Sequence, residues 1–165
     1  MTAQAAEQLL YKGEELRMCS TPLDTFLQNS GLNISFQDRS TACWRGYVAS
    51  WEIRGDRLYI TDISATLENG EPATLEDLFP GYPDGAFAHW FTGEVRCPMG
   101  GQIKYVHMGF GSTFERDLFL EFKSGVLVSE RVVENGKAPP GAAQNYHPAA
   151  WISYPAKTQS NRDSQ

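Results

Sequence analysis

Basic clusters are missing from this chain. No run of Lys or Arg occurs along it, and 14 basic residues face 20 acidic ones, for a net charge of −6. A nucleic-acid backbone is gripped by clustered cations, so a surface of this sign repels it. Direct DNA or RNA binding is not expected. The same charge attracts a basic protein partner and speeds the encounter, although solubility alone also accounts for it. Long apolar runs are missing too. None approaches the ~20 residues of a membrane helix, so no membrane association is expected.

Cysteine is scarce. Cys19, Cys43 and Cys97 are odd in number and form no CxxC pair, which argues against a disulfide framework. The opening "MTAQAAEQLLYKGEELRMCS" has no basic start followed by an apolar stretch, so no signal peptide is expected and Met1 should belong to the mature chain. A cytoplasmic protein with free thiols follows as the expectation. Histidine and cysteine never stand at i, i+2 on a predicted strand or i, i+4 on a predicted helix, the local spacing that zinc sites use. A G-x-S-x-G elbow is lacking. "GFGST" has no lysine and precedes a strand pattern rather than a helix, so it is not a phosphate loop. Neither a cofactor nor a metal is expected.

What is present points to strands. Aromatics make up 12% of the 165 residues, and with abundant Val, Ile and Thr they favour a pleated sheet. "ACWRGYVASWEI" (42–53) and "RLYITDISATL" (57–67) flank the turn residues Gly55 and Asp56, a hairpin signature. The strands expected after it are "GAFAHWF" (85–91), "EVRC" (94–97), "QIKYVHMGF" (102–110), "TFERDLFLEF" (113–122) and "VLVSERVV" (126–133). Their separators are too short for crossover helices, so neighbours should be antiparallel. "QLLYKGEELRM" supplies a further N-terminal hairpin. "TPLDTFLQNSG" reads as a helix capped by Thr21, with Pro22 at its first position and Gly31 at its end. "TLEDLFPG" reads as one helical turn with a capping box between Thr74 and Asp77. The expected fold is mainly β (α+β minor): an antiparallel meander of about eight strands, closed as a barrel or folded as a sandwich, with one short α-helix.

Residues 1–136 form the expected domain. The segment after Gly136 carries four of the nine prolines, so it is not a strand of the meander. An extended arm is expected over 137–156, with a disordered tail over 157–165. The arm either covers core or clasps a partner or neighbouring subunit, and the covering role is favoured.

Alternation assigns faces. In "TFERDLFLEF", Phe114, Arg116, Leu118, Leu120 and Phe122 share the apolar face, while Glu115 and Asp117 point the other way. In "ACWRGYVASWEI", Arg45 shares a face with Cys43, Tyr47, Ala49, Trp51 and Ile53. His107 follows Tyr105 on its strand, and His89 follows Phe87. Two arginines on apolar faces suggest a polar site at one mouth of the sheet. Arg45 and Arg116 would bind an anionic small molecule, and His107 with Glu115 or Asp117 would move protons. The plainer reading makes them structural ion-pair partners. Aromatics exceed what one inward face needs, so one face bears a binding patch or both are covered. Trp44, Trp90, Tyr82 and Trp151 are the candidate partner-binding residues. The leading expectation is a non-catalytic module that binds another, basic protein, in concrete form an immunity or inhibitor protein that neutralises a toxin or effector. The alternative is a small enzyme or ligand-binding barrel built on the Arg/His/carboxylate set.

Overall fold

A computed structural model describes residues 4–37, 42–106 and 108–144. The expected arm over 137–156 is described only as far as Gln144, and the rest of it and the tail lie outside these residues. The chain opens with a hairpin of β1 (Glu7–Tyr11) and β2 (Glu14–Met18), joined at Lys12 and Gly13. Helix α1 (Pro22–Asn29) follows, then the hairpin of β3 (Tyr47–Arg54) and β4 (Arg57–Ala65). A single turn, α2 (Leu75–Leu78), and the two-residue β5 (Ala86–Phe87) lead into β6 (Gly93–Lys104), β7 (Thr113–Lys123) and β8 (Val126–Glu134). The protein is mainly β, as its composition predicts.

Local chemistry explains these elements. At the β3–β4 tip Gly55 and Asp56 both have positive φ, 53° and 62°, which matches a tight hairpin turn to the strand twist. Leu23 of α1 is buried, with Phe26 and Leu27 packed on the core beside it. Thr21 differs from its expected role. Its hydroxyl donates to the Asp24 carboxylate (2.8 Å) instead of accepting a backbone N–H. The capping box at α2 forms, with the Thr74 N–H donating to Asp77 (2.7 Å).

The strand order is β2-β1-β3-β4-β8-β7-β6, with β5 added to β4. The simple meander is therefore corrected. β4 neighbours β8, and β1 runs parallel to β3, with Leu9 opposite Trp51. Among the described residues the ladder between β2 and β6 is not closed, so the barrel is unsupported. Two half-sheets, β2-β1-β3-β4 and β8-β7-β6, join at the pair Arg57–Val126. One core takes Leu9, Tyr47, Ala49, Trp51, Leu58, Ile60 and Ile63 from the first and Val95, Cys97, Leu118, Leu120 and Phe122 from the second. Each fully buried aliphatic side chain there contributes about 1.5–3 kcal/mol.

Three expected boundaries change. The strand over 42–53 begins only at Tyr47, because Gly46 (φ 77°) makes a turn before it. The strand at 94–97 and the start of the one expected at 102–110 are one strand, β6, which is interrupted by register shifts after Met99 and after Gln102 and ends at Lys104. Pro98 sits inside it opposite Asp117. It is tolerated because β6 ends the strand order, where a missing N–H breaks no ladder. The strand over 85–91 shrinks to two residues, and the chain turns at His89.

Candidate functional site

Glu7 lies on β1 in phase with Leu9 and is fully buried. Its Oε2 accepts from Arg45 Nη2 (2.7 Å) and the Ala49 N–H (2.8 Å), and its Oε1 accepts from Trp51 Nε1 (3.2 Å). Burial pushes the carboxyl above the usual range, against the pull of Arg45 and these donors. Arg45 also donates to the Ala5 carbonyl (2.9 Å) and lies over the Tyr47 ring, while its Nε has no acceptor among the described residues. Burial opposes its charge, but the Glu7 carboxylate outweighs burial and raises its pKa. Arg45 is thus on the turn before β3 rather than on a strand, and its partner is a residue the sequence reading passed over. The signal was there: Glu7 is in period-2 phase with Leu9 and Tyr11.

A second cluster gathers on the outer face of β6 and β7. Arg96 Nε donates to Asp117 Oδ1 (2.8 Å), Nη1 to the Phe110 carbonyl (2.6 Å) and Nη2 to the Ser112 carbonyl (2.7 Å). Asn135 Nδ2 donates to Asp117 Oδ2 (2.9 Å). Asp117 is buried despite pointing away from the core. Arg96 covers it and pins the 105–112 loop to the sheet. A guanidinium with these three acceptors has little left to offer a ligand.

Glu115 accepts the N–H groups of Gly101 (2.7 Å) and Ala138 (3.0 Å), which hold its pKa below the usual glutamate range. Arg116 takes the opposite face, as alternation predicts, in register with Met99 and Glu134 and half-exposed at the end of the strand. Its side chain makes no hydrogen bond among the described residues. His107 lies outside the described residues. His89 is exposed and sits edge-on to Trp90, not on an inward strand face. Of the candidate anion-binding set, Arg45, Glu115 and Asp117 each bond to other protein groups among the described residues.

The thiols are buried. Burial raises Cys19, and pushes Cys97 up to about 12, which suppresses the thiolate that nucleophilic chemistry requires. Among the described residues no three of His, Cys, Asp and Glu converge as a metal would need. No helix among them is long and apolar enough to cross a membrane.

The aromatic candidates divide. Trp90 turns inward. Its Nε1–H donates to the Pro22 carbonyl (2.9 Å), and its ring stacks on Phe79 and meets Phe26. Tyr82 is exposed on the loop after α2. Trp151 lies outside the described residues. Trp44 is 48% exposed on the turn before β3, and Met108, on the 105–112 loop, is 56% exposed. Gln4 joins these two segments. Its N–H donates to the Gly109 carbonyl (2.7 Å) and its side-chain oxygen accepts from the Trp44 N–H (2.8 Å). Tyr105 on the same loop is also exposed. Sequence reasoning missed Met108 because it placed that residue on a strand.

Against known protein families, curated proteins and solved structures, neither the chain nor its fold finds a match.

Proposed function

We propose that this chain is a non-catalytic protein-binding module, in concrete form an inhibitor or immunity protein that neutralises a toxin or effector. The exposed indole of Trp44 carries the reading. It stands on a turn tied by Gln4 to the loop of Met108 and Tyr105. A large aromatic at the centre of an apolar patch is the side chain that dominates interface energies. The net charge of −6 favours a basic partner. The carboxylates of the two clusters support the same view, because both oxygens of Glu7 and of Asp117 accept hydrogen bonds from within the fold.

The test is affinity capture with two baits, the wild type and Trp44→Ala/Met108→Ser. The wild type should retain one protein from a lysate of its source cells, and the double variant should lose it at unchanged circular dichroism. Equal retention by both baits, or turnover of a small molecule by the purified protein, overturns the proposal.

A further inference from the structure

The two edges of β8 have unequal status. Along one edge it pairs with β7 from Val126 to Glu134, with Val128 as the extra residue at a register shift. Along the other it meets β4 only at Val126, and the Leu127 N–H donates to the Asp56 carbonyl (2.7 Å). The antiparallel register then carries β8 past the Gly55–Asp56 tip, where the β3–β4 hairpin ends. From Val128 to Glu134 no strand lies beside this edge among the described residues. Val128 and Val132 are 53% and 52% exposed. An unpaired strand edge is a template for another strand.

Side chains select what can pair there. Glu130, Val132 and Glu134 share the face that carries Leu120, Leu118 and Arg116 on β7. Glu130 is touched by Tyr11 Oη (2.8 Å) and Lys12 Nζ (3.6 Å), an exposed contact of small worth that an incoming cation can replace. Glu134 has no ion partner among the described residues. On the other face Arg131 is already taken, stacked over Phe119 at 4.2 Å and bound to Glu94 (3.1 Å). A second copy of this chain fits badly. Antiparallel self-pairing centred on residue 130, 131 or 132 sets Glu130 against Glu130, Arg131 against Arg131, or Glu130 against Glu134. Like charges directly opposite destabilise a strand pair and opposite charges stabilise it.

We propose that the open edge of β8 accepts an extended segment of a partner protein as an added strand. The segment carries two basic residues four positions apart, opposite Glu130 and Glu134, with a β-branched residue between them opposite Val132. The main chain of β8 supplies hydrogen bonds and its alternating side chains supply specificity. This edge lies beyond the tip end of β3, whereas Trp44 precedes the other end, so the two surfaces are separate.

The probes are two synthetic peptides, Thr-Lys-Thr-Val-Thr-Lys-Thr and its analogue with Glu in place of Lys, titrated into the full-length ¹⁵N-labelled protein. The lysine peptide should shift the amide resonances of β8 and slow their hydrogen exchange, and should bind at least tenfold more tightly than the glutamate peptide. Glu130→Lys/Glu134→Lys should reverse that preference with the spectrum of the fold retained, and Trp44→Ala should leave it unchanged. Shifts confined to other strands, no shift at millimolar peptide, or equal binding of both peptides overturns the proposal. None of these results bears on the Trp44 patch.

Discussion

Removing the Glu7 carboxylate leaves the largely covered Arg45 guanidinium over the Tyr47 ring with its charge uncompensated. Glu7→Ala should lower stability in urea by about 3–5 kcal/mol, the cost of breaking a buried ion pair from one side. Glu7→Gln/Arg45→Met should cost less than the sum of the single changes, because neither charge is then left alone. The thiols offer a second check. Cys97, pushed up to about 12 by burial, and Cys19, raised by burial, sit with Cys43 inside the fold. A thiol reagent at neutral pH should label none of the three quickly, and all three once denaturant is added. Glu115 supplies a pH dependence. Its pKa is lowered, first by the Gly101 N–H and then by that of Ala138. A depressed folded pKa gives stability that is present above the ordinary glutamate value of about 4.3 and lost as pH falls through the folded value. Glu115→Gln should therefore lie below wild type at neutral pH, with the gap closing on the acid side in urea titrations.

At the scale of elements, the joint between the half-sheets is the sensitive place. Gly125 has φ 81°, its carbonyl accepts from the Leu58 N–H (2.9 Å), and a Cβ there would stand 2.5 Å from the Ala88 carbonyl oxygen. Gly125→Ala should destabilise by at least about 1–3 kcal/mol, the cost of a strained backbone before the clash is counted. Differential scanning calorimetry would measure it. Hairpin tips and helix ends were legible in the chain because Gly, Asp and Pro act locally. The reach of β6 through Pro98 was not, because the harm a proline does depends on whether a strand lies beside it. Arg116 and Asp117 were correctly assigned to opposite faces by alternation. The burial of Asp117 was hidden, because Arg96 and Asn135 arrive from other strands and loops.

Across the whole molecule, one core joins two half-sheets whose ladders meet at a single pair. Shared burial, with the hydrogen bonds Leu58–Gly125, Leu127–Asp56 and Cys19–Arg96 between the halves, should make them unfold together. Tryptophan fluorescence and far-UV circular dichroism should give coincident urea transitions, and separate midpoints would show that the halves melt independently. The residues alone determined the β class, the β1–β2 and β3–β4 hairpins, the first helix and the inward faces of β3 and β7, since two-residue periodicity and turn chemistry are properties of neighbours along the chain. Only the tertiary structure decided that β1 lies parallel to β3, that the sheet stays open, that Glu7 reaches Arg45 across 38 positions, and that Trp90 turns inward while Trp44 stays out. Pairing between distant segments is set by how their faces fill a common core, and no local pattern carries that information.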